Sequence, residues 1–355
     1  MKHIIFTVAM LLCTTVVVSQ TRVEKKTATK STGYGVQYSL PKTSLIVNAE
    51  ITKTTCKAGP YYKYAEKYLG VKDAVTENDS YYELKKISLV NKGIPDKENT
   101  YVVEFKAGTV APYVYLTEDG LLCAINAEYT PTESAPDKDV KDAAQKVNTT
   151  AVLTEELLMA GSVARQAEVA AKQIYHIRES RMDILTGDAE KMPPDGEAMK
   201  QVIKQLEDQE KALTYLFIGT RESETDYFDV TILPQEDMEK EVIFRFSRKL
   251  GILDADDLGG APVYMNLKAT TARQEELSPK EAEKKEKATK GLIYCVPGKA
   301  SVEIKTDQKT FFKGETLVVQ FGSYENFAPV LFEDKKNPVK IFFHPETGSL
   351  KQIIQ

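Results

Sequence analysis

Hydrophobic positions along the chain change period twice. From Gly35 the period is two: Val36, Tyr38 and Leu40 alternate with other residues, Pro41 interrupts, and Leu45-Ile46-Val47 carries the pattern into Ile51. A period of two rich in aromatic and β-branched residues predicts strands. Further strands are predicted at 84–90, 101–105, 113–116 and 121–125, with Glu118-Asp119-Gly120 as a hairpin turn between the last two. Gly59-Pro60 opens YYKYAEKYLG, a short helix with Tyr61, Tyr64, Tyr68 and Leu69 on one side.

YTPTESAPDKD, residues 129–139, has the composition of a linker. The period then becomes helical. Thr154 is a suitable N-cap, with Glu155 and Glu156 at the positive end of the helix dipole. That helix is expected to run to about Leu185, where TGDAEKMPPDG breaks it. A second helix from about Asp195 to Phe217 completes an antiparallel hairpin. Strands return at 227–233, 241–246 and 263–267. Residues 274–290 read as a charged, solvated connector, and strands at 292–296, 302–304, 317–320, 330–332 and 339–343 close the chain.

The fold class is therefore α+β. A β-rich N-terminal domain over 20–150, with its short tyrosine-rich helix, and a β-rich C-terminal domain over 221–355 flank a helical hairpin at 151–220. GVQYSLP at 35–41 rhymes with GLIYCVP at 291–297. The match is three residues in seven, compatible with either a duplicated β unit or coincidence.

The extreme N-terminus adds a compartment. Met1-Lys2-His3, an apolar run from Ile4 to Val18, and Ser19 read as a signal peptide over 1–19, with polar sequence following. The apolar run is too short for a comfortable membrane span. Residues 20–33 are Thr/Lys-rich and read as disordered or extended. The chain holds 47 basic and 52 acidic residues, a mild negative balance with no footprint for nucleic acid. Beyond the leader the cysteines are Cys56, Cys123 and Cys295, widely spaced and without zinc-ligand spacing. They read as small buried residues, with one disulfide as the alternative. No metal or cofactor motif is present, and no transmembrane span is expected after signal cleavage.

Chemistry-bearing side chains concentrate in YHIRESRMDILTGD, residues 175–188. On a helix, Ile174, Ile177, Ile184 and Leu185 share one face, and His176, Glu179, Ser180 and Asp183 the opposite one. Arg181 falls within the apolar stripe and Arg178 on its edge. An arginine there snorkels or finds an anion. A hairpin closing over 187–195 sets Arg181 opposite about Gln201 and Arg178 opposite about Lys204, so no carboxylate lies directly across. Glu197, Glu207, Asp188 and Glu190 are the nearest acids. Arg178 and Arg181 are thus either a staple of the hairpin or an anion site. His176 and His344 lie on distant segments and form no triad. LDADDLGG at 253–260 resembles a calcium loop but carries Leu258 and Met265 at ligand positions, and reads as a turn. Tyr61, Tyr64 and Tyr68 are candidates for stacking on a glycan or peptide, although the chain has no Trp.

Three blocks carry a family resemblance: LPKT…GPYYKYAEKYLG, IRESRMDILTGD…MPPDGEAM and GLIYCVPG…VVQFG. They resemble a family of secreted proteins from Bacteroides and relatives, known as a domain of unknown function. The resemblance implies a periplasmic or cell-surface location. It implies no activity, and no catalytic residue is carried over. The expected function is a non-catalytic binding or scaffolding role at the bacterial cell envelope, toward an envelope protein or glycan. The alternative is a secreted hydrolase of glycan or peptide using an acidic pair that the sequence does not identify.

Overall fold

The computed structural model of the chain describes residues 22–25, 35–104, 114–130, 152–193, 196–271, 291–328, 331 and 338–354. The expected signal peptide at 1–19, most of the expected linker at 129–139, the expected connector at 274–290 and the strand expected at 330–332 lie outside the described residues, Leu331 excepted.

The protein is α+β, as its periodicity predicts. Thirteen strands are described: β1 (Arg22–Lys25), β2 (Gly35–Lys57), β3 (Asp79–Glu104), β4 (Val114–Leu116), β5 (Leu122–Ile125), β6 (Thr220–Ile232), β7 (Met238–Ser247), β8 (Gly251–Leu253), β9 (Ala261–Ala269), β10 (Leu292–Lys305), β11 (Thr310–Phe327), β12 (Lys340–His344) and β13 (Ser349–Ile354). They form three antiparallel sheets, ordered β1-β3-β2-β6, β11-β10-β9-β7-β8 and β13-β12-β5-β4. The first and third sheets take strands from both β-rich parts of the sequence.

Pro41, expected to interrupt, does not end β2, and the strands expected at 84–90 and 101–105 are one strand that runs through Gly93 and Pro95. There the ladder breaks at a bulge between Ser39↔Thr100 and Pro41↔Pro95, so the two prolines face each other where no N–H is available to pair. β2 pairs with β6 only from Leu45 onward, so Pro41 has a partner strand on one side alone. The segments on either side of this bulge serve different cores. Leu45, Val47 and Ala49 face Phe244, Val263, Met265, Leu267, Val302, Ile304 and Phe321 of the second sheet. Tyr38 and Leu40 join Tyr101, Val103, Ile125, Cys295, Ile341 and Phe343 in a second core shared with the third sheet.

The β10–β11 hairpin repeats this device. Between Val296↔Ser323 and Gly298↔Val318, one residue of β10 again faces four of β11, as Leu40 faces 96–99 in the first hairpin. Gly322 is required there, because a Cβ would lie 2.0 Å from the Val296 carbonyl oxygen. The two segments that rhyme in sequence also touch. The Tyr38 hydroxyl donates to the Ile293 carbonyl at 3.1 Å and accepts the Ile293 N–H at 3.0 Å. The bulges, however, superpose one residue out of step with the rhyme: Pro41 is paired, whereas Pro297 is the skipped residue.

The helices form a third core. A 3-10 turn at Tyr62–Tyr64 leads into α1 (Ala65–Leu69). α2 (Glu155–Met159), α3 (Val163–Thr186) and α4 (Glu197–Ile218) follow. The single helix expected from 154 to 185 is broken at Ala160-Gly161-Ser162. Thr154 caps α2 through the Leu157 N–H, and Ser162 caps α3 afresh through the Arg165 N–H. The hairpin of α3 and α4 is as predicted. Ala167, Ala170, Ala171 and Ile174 of α3 pack with Leu213, Leu216 and Phe217 of α4, Leu157 of α2, and Tyr61 and Ala65.

Candidate functional site

The small residues near the start of α3 let the helices approach closely at their base. Beyond Ile177 the two helices cover mainly each other. Ile177, Arg181 and Ile184 of α3 and Met199, Ile203, Leu206 and Glu210 of α4 are half-buried, and no buried residue lies on α3 past Ile174 or on α4 before Ala212.

Both arginines reach one carboxylate. Arg178 Nε donates to Glu210 Oε1 at 2.6 Å, and Arg181 Nη1 lies 2.9 Å from Glu210 Oε2 and 3.8 Å from Glu207. The partner expected opposite Arg178 was about residue 204. Glu210 lies six residues further along α4, a rise of roughly 9 Å. The difference follows from side-chain direction. Helical side chains lean toward their own N-terminus, so an arginine on α3 reaches away from the hairpin loop while a glutamate on α4 leans toward it. Two guanidiniums thus meet two carboxylates, Glu210 shared and Glu207 beside Arg181. Arg178 keeps 43% of its side-chain surface exposed, and its Nη groups have no protein acceptor among the described residues. Its guanidinium sits 5.6 Å from the centre of the Tyr175 ring.

One row of α3 is apolar and uncovered. Tyr175, Arg178, Met182 and Leu185 follow the 3-4-3 spacing of a helix-packing seam, and Tyr175, Met182 and Leu185 are 51%, 59% and 62% exposed. Leu185 was expected on the face with Ile174 and Ile177 but points outward, one position past the seam that α4 covers. In an antiparallel pair the rows one position beyond each seam fall on the same side. The companion row of α4 is Lys200, Lys204, Glu207 and Lys211, all exposed. The opposite side of the hairpin carries Gln173, Ser180 and Asp183, half-buried, with His176, Gln205 and Gln209 exposed.

The three candidate tyrosines separate. Tyr61 is buried, its ring 5.5 Å from Phe217 and its N–H on the Leu216 carbonyl, and burial pushes its hydroxyl pKa up. Tyr64 and Tyr68 stay together, half-buried at 6.1 Å, with Lys67 over Tyr68. The Tyr68 carbonyl accepts the Tyr175 hydroxyl at 2.7 Å, which joins this pair to the foot of the exposed row.

Other candidates resolve into architecture. The 253–260 loop is a turn tied down by Arg245, which donates to the carbonyls of Ala255 and Gly260. Among the described residues no group of three or more His, Cys, Asp or Glu could hold a metal ion. Cys56, Cys123 and Cys295 are free thiols, the last two buried. Asp96 is a buried acid that sequence reasoning missed. Burial raises its pKa, but Asn99, Lys42 and the Glu98 N–H outweigh burial and hold it below the usual carboxylate value. Its salt bridge to Lys42 spans 3.0 Å and braces the first bulge.

A family model described as a domain of unknown function (DUF4831) matches residues 34–351. The chain belongs to the DUF4831 family. No curated protein and no solved structure matches it. The DUF4831 match contains all three sequence blocks named above, the hairpin and the exposed row. Among the described residues no helix is long and apolar enough to cross a membrane.

Proposed function

We propose that this DUF4831 chain is an exported, non-catalytic binding or scaffolding protein of a bacterial cell envelope. The observation that carries the reading is the row of Tyr175, Met182 and Leu185, uncovered on a hairpin whose seam is otherwise satisfied. Exposed apolar side chains at seam spacing mark an interaction surface. The perturbed groups elsewhere serve packing. Tyr38 and Cys295 are pushed toward their neutral forms by burial, whereas Asp79, Glu83, Glu168 and Glu303 are held ionised by lysine or arginine partners. The leader-like residues 1–19 and the resemblance to secreted proteins of Bacteroides and relatives support export to the periplasm or cell surface.

Two measurements test the reading. Fractionation of a Gram-negative host is expected to place the full-length chain in the envelope or periplasm, with an intact mass matching cleavage after Ser19. A variant lacking residues 2–19 is expected to stay in the cytoplasm. A photo-crosslinker at Met182 is expected to yield a discrete adduct in the envelope, and one at exposed His176 on the opposite side of the hairpin none. Cytoplasmic retention of the full-length chain overturns export, and equal crosslinking from both positions overturns the binding surface.

A further inference from the structure

We draw no further inference here: the strongest candidate, the outer edge of β13 at the border of the third sheet, where Leu350, Ile353 and Ile354 stand exposed, is an apolar strand edge paired on one side alone among the described residues, and nothing in the structure shows what covers it.

Discussion

Cys295 shows how position in this fold decides the behaviour of a single residue. It is fully buried beside Tyr38 and Val319, and burial, with the Asp96 charge adding to it, pushes its thiol up. Burial, reinforced by Glu346, pushes Cys123 up to about 11 from an ordinary 9.0. Both thiols and Tyr38 keep their protons in the folded state after the unfolded chain has begun to lose them. Their contribution to stability is fully present below the unfolded value and is lost as pH rises through the folded one. Between pH 9 and about 11 the stability is therefore expected to fall. Urea midpoints at about pH 8 and about pH 11 check this, and an unchanged midpoint contradicts it. At neutral pH, half-buried Cys56 is expected to react first with a thiol reagent, and Cys123 and Cys295 only on unfolding. The cysteines' low polarity was legible in the sequence, but nothing in their spacing told which two are sealed.

At the scale of elements, the hairpin was the most legible part. Its period, the Thr154 cap and the Gly187 stop that ends α3 are local signals that were read, whereas the break at Ala160-Gly161-Ser162 that gives α3 its own cap was not. What spacing alone misplaced was the partner of Arg178 and Arg181, because a register estimate counts backbone positions and ignores the lean of side chains. With Glu210 as the shared acceptor, Glu210→Gln takes the carboxylate from Arg178 and leaves Arg181 with Glu207. The side chains are partly exposed, so the cost is expected to be about 1 kcal/mol. A urea titration reads it, and Glu179→Gln on the solvated side is the control expected to change nothing measurable. A Glu210→Gln protein as stable as the parent removes the staple. The long strands were the least legible elements. Pro41 is a correct signal of a broken ladder, but the break is a bulge inside a continuous ribbon, held by Lys42–Asp96 and by Thr43, whose hydroxyl and backbone meet Val319 and Gln320.

At the scale of the whole molecule, the decisive fact is that sheets cross the sequence. β6 pairs along β2 from Leu45↔Ile232 to Lys57↔Thr220, and β12 pairs with β5 at Ile341↔Ile125. The helical insert between β5 and β6 therefore links two different sheets. A fragment of residues 20–150 lacks β6 to β13, and with them most of the buried residues of the first β core and half of those of the second. It is expected to be unfolded alone, with flat near-ultraviolet dichroism and poor amide dispersion. The full chain is expected to lose its sheet signal in one transition. A folded 20–150 fragment would show that its sheet stands without the second half.

The sequence by itself determined the fold class, the hairpin and its apolar seam, the β4–β5 turn at Gly120, and the charge balance. These follow from residue periodicity and turn chemistry, which act over a few positions. Only the tertiary structure decided which strands pair, that Tyr61 enters a core while Tyr175, Met182 and Leu185 do not, and that two arginines share Glu210. Those outcomes depend on which surfaces meet across hundreds of residues. Burial is a property of the meeting, and a hydrophobic residue one position past a seam looks the same in sequence whether or not another element covers it.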